Sequence, residues 1–212
     1  MTTGQEPDRG PAAGPVDPAL QTPQVVDAAA DLAEYLLGRH PERLAHSEAV
    51  AARARLLTAA VSPEAAPFLV AAAWLHDIGY TAEVRRTGFH PVDGAEYLRH
   101  AGWPQAMSDL VAHHSGSRFV ATARDLDAEL ASFTFVEDEL TDALTVADQT
   151  AGPQGRQMTV EERMADMLAR HGPESPNARA HPARRPYLLA AARRVAGRLE
   201  AAGVPAHRHH IF

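Results

Sequence analysis

The chain has no cysteine. This absence excludes disulfides, thiolate metal sites and a cysteine nucleophile together, and it suits a reducing compartment such as the cytoplasm. Aromatic residues are scarce at 6%, whereas hydrophobic residues reach 45% of the 212 positions and alanine supplies much of that share. Alanine is the best helix former and a poor strand former, so this composition points to an all-α fold with one core. Positive charge is also in short supply. The formal net charge is −7, and no run of Lys and Arg offers the basic face that general nucleic-acid binding requires. A small anionic substrate stays compatible with this balance if a metal and a few arginines hold it locally. Long hydrophobic runs are missing too. The longest, Phe68 to Leu75, falls far short of a membrane span, and the N-terminus lacks the basic stretch and apolar core of a signal peptide. The expectation is a cytoplasmic protein without nucleic-acid or membrane partners, and nothing in the sequence marks its oligomeric state.

Residues 1 to 23 are rich in Pro, Gly, Thr and Asp, with scarcely a large apolar side chain. Such a segment cannot bury enough surface to offset its ordering entropy and reads as a disordered tail. Residues 24 to 204 read as one helical domain, with 205 to 212 as a C-terminal tail. Val25, Ala29, Leu32 and Leu36 give a first helix closed by Gly38, and Pro41 opens a second whose inward stripe is Val50, Ala54, Leu57 and Val61. Ser62-Pro63-Glu64 carries an N-cap followed by proline, which predicts a third helix running to Ile78 and stopped by Gly79. Residues 80 to 89 read as a loop. Further helices are expected from His90 to His100, from Pro104 to His114 and over Glu137 to Ala151. Residues 115 to 136 are ambiguous, with a short helix near Asp125 to Leu130 and a β-prone Phe133-Thr134-Phe135 as options. Gly152-Pro153-Gln154-Gly155 is a turn, and Thr159 to Glu162 fits a capping box leading a helix to Arg170. After a proline-rich break, Pro186 to Ala202 makes the last long helix.

Among the 12 histidines, a few sit where an ordinary surface role is awkward. His46 shares the apolar stripe of Val50 and Ala54. His76-Asp77 ends the apolar run at Leu75, where a buried carboxylate is costly without a cation or several donors. His90 stands at a helix start and His113-His114 near a helix end. Asp148 follows Leu140 and Leu144 on one stripe. Each has a plain alternative: a satisfied core histidine for His46, an exposed helix end for His76-Asp77, a cap for His90, a dipole-favoured terminus for His113-His114 and a hydrogen-bonded acid for Asp148. Their joint occurrence is harder to dismiss. Imidazole and carboxylate are the ligand set of zinc, iron or manganese, and several helices carrying them toward one core is how helical bundles build metal sites.

The order His46, His76-Asp77, Asp148, with the string Leu75-His76-Asp77-Ile78-Gly79, resembles the HD-domain superfamily of metal-dependent phosphohydrolases, over roughly residues 40 to 152. The resemblance implies a single-domain helical bundle in which His46, His76, Asp77 and Asp148 bind one metal. His90, in Phe89-His90-Pro91-Val92-Asp93-Gly94-Ala95, and the pair His113-His114 match the extra histidines of binuclear members, in which the residue at Asp77 bridges two ions. His114 is favoured over its neighbour because Ser115-Gly116 follows it, much as Thr-Thr-Gly follows the ligand in diadenosine-tetraphosphatase-like members. His113 stays open, because cyclic-dinucleotide phosphodiesterases of the superfamily have adjacent histidines. One departure stands out: Tyr80 occupies the place of a common lysine three residues after the aspartate. Arg85, Arg86 and Arg118, in loops just after the ligand-bearing segments, are the candidates to supply substrate-binding charge instead, or else plain surface arginines.

The activity so implied is hydrolysis of a phosphate ester of a small molecule, a nucleotide foremost, by metal-activated water, with Asp77 in the catalytic centre. Iron or manganese suits the donor set best, with zinc, nickel or magnesium as options and one or two ions per site. Two other readings fit the same ligands: a mixed-valent di-iron oxygenase of the same superfamily, and a non-catalytic sensor that binds a nucleotide. The histidines of Ala206-His207-Arg208-His209-His210 lie outside the motif and are read as tail.

Overall fold

The computed structural model describes residues 23–152 and 155–212; the expected N-terminal tail and the centre of the turn at 152–155 lie outside the described residues. The described chain is all-α. Its helices are α1 (Pro23–Leu37), α2 (Pro41–Leu56), α3 (Ala66–Leu75), α4 (His90–His100), α5 (Gln105–His113), α6 (Ser117–Thr122), α7 (Asp127–Leu130), α8 (Glu139–Gln149), α9 (Val160–His171) and α10 (Pro176–Ala201), joined by short 3₁₀ turns. Among the described residues the only extended pairing is an isolated antiparallel bridge between Ala151 and Gln157.

α3 is the centre of the bundle. Every residue from Phe68 to Leu75 is buried, as expected of a helix that is apolar on all sides. α1 and α2 pack against it most extensively, and α8 and α5 also contact it. α1 contributes Val25, Ala29, Ala33 and Leu36, and α2 contributes Val50, Ala51 and Ala54. The many alanines let these helices approach closely. α10 then packs along α8 and α9 through Leu188, Ala192, Val195 and Leu199.

Several details depart from the sequence reading. The third helix begins at Ala66, with Pro67 in its first turn, rather than at Pro63 behind a Ser62 cap. It ends at Leu75 instead of Ile78, and a separate 3₁₀ turn spans Ile78–Tyr80. Gly79 explains the change: a Cβ built on it would lie 2.1 Å from the His90 carbonyl oxygen and 2.7 Å from the Gly94 nitrogen. Only a bare backbone fits against α4 there. Phe133-Thr134-Phe135 forms no strand, and Phe133 packs into the core while α6 and α7 precede it.

The largest departure is α10. It starts ten residues before the expected Pro186, at Pro176, because Ser175 caps it by accepting from the Ala178 amide at 3.1 Å. Pro182 and Pro186 then lie inside the helix. An interior proline costs roughly 3 kcal/mol, and the buried Ala180, Arg184, Tyr187 and Leu188 show that packing around the two prolines outweighs local propensity. The segment 205–212 is not a free tail either. Ile211 is fully buried, its carbonyl accepts from the Val160 amide at 3.1 Å, and the His209 carbonyl accepts from Arg53.

Candidate metal centre

Five elements send side chains to one point. α2 carries His46; the irregular step after α3 carries His76 and Asp77; the first residue of α4 is His90; the end of α5 delivers His114; the last turn of α8 delivers Asp148. His46, His76, Asp77, His114 and Asp148 are buried and His90 is partly exposed. His46 Nε2 lies 3.1 Å from Asp148 Oδ1 and 3.9 Å from Asp77 Oδ2. His76 Nε2 is 3.5 Å from Asp77 Oδ1 and 4.0 Å from Asp148 Oδ1. On the other side, Asp77 Oδ1 faces His90 Nε2 at 3.3 Å, and His90 Nε2 faces His114 Nε2 at 3.3 Å.

The backbone sets the tautomers of two of these rings. His76 donates from Nδ1 to the Ala73 carbonyl at 2.8 Å, and His114 donates from Nδ1 to the Val111 carbonyl at 2.6 Å. In each neutral ring this leaves the Nε2 lone pair directed at the cluster. His76 Nε2 is buried and has no hydrogen-bond partner. Two inward-facing acceptor nitrogens, one of them without any partner, and two buried carboxylates make an arrangement whose unmatched lone pairs a divalent cation would satisfy. The donors form two groups, His46-His76-Asp77 and Asp77-His90-His114, each with its ligand atoms within 4.8 Å of one another. Asp77 belongs to both.

Ionisation agrees with this. Burial by itself would raise the Asp77 carboxyl, but His76, His90 and His46 together with Arg43 hold it well below the usual carboxylate range. Burial likewise opposes charge on Asp148, and its hydrogen bond with His46 and the nearby His76 reverse that effect. Burial lowers His90 well below the ordinary imidazole value and lowers His114 to about 4. Ionised carboxylates and unprotonated imidazoles are the states that metal binding requires.

A second layer of contacts orients the donors. Arg43 Nη1 donates to Asp77 Oδ2 at 3.2 Å. Ser115 Oγ donates to Asp148 Oδ2, and Gln149 Nε2 donates to the same oxygen at 3.1 Å. Ser115 and Gly116 both have left-handed backbone, φ 52° and 65°. This is an unfavoured conformation for serine, and it turns the chain out of α5 so that His114 and the Ser115 hydroxyl face the same cluster.

The structure divides the remaining sequence candidates. His113 points away from the cluster: its Nε2 donates to the Phe133 carbonyl at 3.0 Å and its ring meets Phe135 edge-on. The chain leaves the helix at His114, whose backbone is extended at ψ 147°, and this turn sends the His114 ring to the cluster while His113 stays on the helix and faces Phe133. Arg85 and Arg86 are exposed and do not line the cavity at the cluster. Arg118 also lies outside it, held over the rings of Phe135, Tyr187 and Phe119 at 4.0, 4.4 and 4.7 Å. The arginines that do line this cavity of about 450 Å³ are Arg43, Arg124, Arg163, Arg170 and Arg184. Arg43 was legible in principle, since it precedes His46 by three positions and so shares its helical face. Arg163 and Arg184 carry no signal in the sequence.

Tyr80, at the position of the expected lysine, has a defined place. Its ring stacks on His90 with centroids 4.0 Å apart and planes at 15°, and the Arg43 guanidinium sits 3.7 Å over the same ring. It thus braces one candidate ligand and one cation.

The fold and this centre define a helical bundle with a buried His/Asp site able to hold divalent metal. A family model described as HD domain matches residues 43–176, more than half of the chain, and the chain belongs to that family. No curated protein and no solved structure matches it. Among the described residues no helix is long and apolar enough to cross a membrane.

Proposed function

We propose that this protein is a metal-dependent phosphohydrolase that cleaves a phosphate ester of a small molecule, a nucleotide being the foremost class. The observation that carries the reading is the shared position of Asp77, whose carboxylate belongs to both donor groups. His46, His76, Asp77 and Asp148 would hold one ion, and Asp77, His90 and His114 a second. Nitrogen and oxygen donors rich in histidine suit iron or manganese. A divalent pair bound there supplies Lewis acidity toward a phosphoryl oxygen and acidifies water near neutral pH.

The chain's own residues supply the rest. Asp77 and Asp148 are ionised and aligned by Arg43, Ser115 and Gln149, so their geometry is set before a ligand arrives. The backbone bonds of His76 and His114 keep the Nε2 atoms inward. Arg43, steadied on Tyr80, brings a guanidinium to the cavity wall beside Asp77 and takes the electrostatic role of the absent lysine.

The test is turnover. Protein loaded with Mn²⁺ or Fe²⁺ and given a panel of nucleotides and simple phosphomonoesters is expected to release phosphate or a nucleotide product, and Asp77→Asn is expected to abolish this. Absence of turnover on every phosphate ester, with metal bound in stoichiometric amount, would overturn the proposal.

A further inference from the structure

The cavity beside the cluster has more positive charge than the metal ligands use, since of its arginines only Arg43 pairs with one of them. Five arginines line it against two carboxylates, Asp77 and Asp148, and both of those belong to the cluster. Any bound cation increases the imbalance. The chain as a whole carries a net charge of −7, so this concentration of guanidinium runs against the overall composition.

Arg184 is the residue most in need of explanation. It sits on α10, beyond the matched segment, and is more than nine-tenths buried. Its Nε donates to the Ser115 carbonyl at 2.7 Å. Among the described residues no carboxylate forms an ion pair with it and its two terminal nitrogens make no hydrogen bond, while the side chain lines the cavity. Burial lowers its pKa, Asp148 raises it and the neighbouring Arg163 lowers it again. A buried guanidinium with no carboxylate within ion-pair distance is costly, and a second cation beside it adds to the cost.

Arg163, on α9, repeats the pattern. It lines the same cavity, its Nη1 reaches Asp166 only at 3.4 Å, and its buried Nε has no partner. Asp166 is also engaged by Arg170 at 2.9 Å, so one carboxylate serves two arginines. Two helices therefore present under-neutralised guanidinium groups to one cavity, next to the turn that holds His114 and Ser115. Planar guanidinium forks match the oxygens of phosphate or carboxylate.

We propose that Arg184 and Arg163 form an anion subsite separate from the metal ligands, and that the substrate carries a second anionic group, most simply a second phosphate, which this subsite holds. The inference rests on the phosphohydrolase reading for the first anionic group. The subsite anchors one end of the substrate while the ester to be cut lies at the metal centre, so that α9 and α10 select for compounds with two anionic groups over simple monoesters.

Two phosphonates that cannot be hydrolysed test this: propylphosphonate, with one anionic group, and propane-1,3-bisphosphonate, with two. Calorimetric titration of the metal-loaded full-length chain, with metal content measured afterwards, is expected to give at least about ten-fold tighter binding of the bisphosphonate. Arg184→Gln and, separately, Arg163→Gln are expected to remove most of that advantage, while propylphosphonate binding changes less than about two-fold. Arg184→Lys keeps the charge and is expected to recover part of it; if Arg184→Gln fails to fold, Arg163→Gln and Arg184→Lys carry the test. Equal affinity of the two ligands for the native protein would overturn the subsite. So would variants that leave the advantage intact or weaken both ligands alike. A failure of turnover on phosphate esters would leave this binding result standing, so the two proposals fail separately.

Discussion

His46 and Asp148 stand 102 positions apart in the chain, yet His46 Nε2 lies 3.1 Å from Asp148 Oδ1 in a buried contact. The contact joins α2 to α8, and its two members face His76 and Asp77 from opposite helices. Asp148→Ala removes a carboxylate that Ser115 and Gln149 also address. Metal affinity is expected to fall by more than the 10- to 100-fold typical of losing an orienting partner. Metal analysis after dialysis, with catalytic rate measured on the same samples, checks this; unchanged metal content would remove Asp148 from the ligand set.

The two donor groups meet at Asp77, which makes their losses unequal. His90→Ala leaves the group His46-His76-Asp77 intact and should release only one of two ions, whereas Asp77→Asn should compromise both. Elemental analysis of the purified variants gives the ratio directly. Equal metal content in the two variants would contradict a shared carboxylate.

Acid should weaken the metal-free protein through its imidazoles. His114, lowered to about 4, and His90, lowered well below its ordinary value of 6.5, bind fewer protons folded than unfolded. Stability therefore rises with pH across this window, and it should be lost as pH falls from 6.5 toward 4. Below that, the depressed Asp77 and Asp148 add a loss of the same sign. Melting temperatures of chelator-treated protein between pH 7 and 4 test the direction, and His114→Gln should flatten the upper part of the slope.

Gly79→Ala should be severe for a residue with no side chain to lose. The added methyl would overlap the His90 carbonyl and the Gly94 amide, so α4 must shift and carry His90 with it. A loss on the order of 2–4 kcal/mol is expected, accompanied by lower metal content. Chemical denaturation and metal analysis together separate this from a mild surface change, and a variant within about 0.5 kcal/mol of native would refute the close approach.

Away from the centre, Asp142 on α8 accepts from Arg194 at 2.6 and 2.8 Å and from Arg198 at 2.8 Å, tying α10 to the bundle. The carboxylate is buried while both arginines are partly exposed. Asp142→Ala is therefore expected to cost about 3 kcal/mol, the low end for a broken buried pair. Because α10 also carries Arg184, bisphosphonate affinity should fall in the same variant. Affinity and stability that both stay native would show that α10 is held by its apolar face alone.

Helices α1, α2, α4, α5 and α9 were legible because each has an amphipathic stripe or a local cap. The capping box at Thr159, for example, forms with both of its hydrogen bonds, at 3.2 and 2.8 Å. The ends of α3 and the start of α10 were not legible. The first depends on Gly79 meeting α4, and the second on apolar contacts that tolerate two prolines in one helix. Of the site candidates, His46, His76, Asp77, His90, His114 and Asp148 come together, while His113 turns to Phe133. The choice within the histidine pair is made by the non-helical turn at His114 and Ser115, which a dipeptide does not reveal. The loop arginines were sought near the motif in sequence, but the cavity takes its charge from α2, the α6–α7 connection, α9 and α10.

The sequence by itself determined the helical class, the apolar run from Phe68 to Leu75, the absence of thiol chemistry and the set of imidazoles and carboxylates available to a metal. These depend on composition, periodicity and residue type, which are properties of short segments. The tertiary structure alone decided that His114 rather than His113 would face the cluster, that Tyr80 would brace Arg43 and His90, and that Arg184 would reach the cavity from beyond the matched segment. Each of these joins residues on different helices. Their distances follow from how the alanine-rich faces of the bundle pack, and packing is a property of the whole chain rather than of any stretch of it.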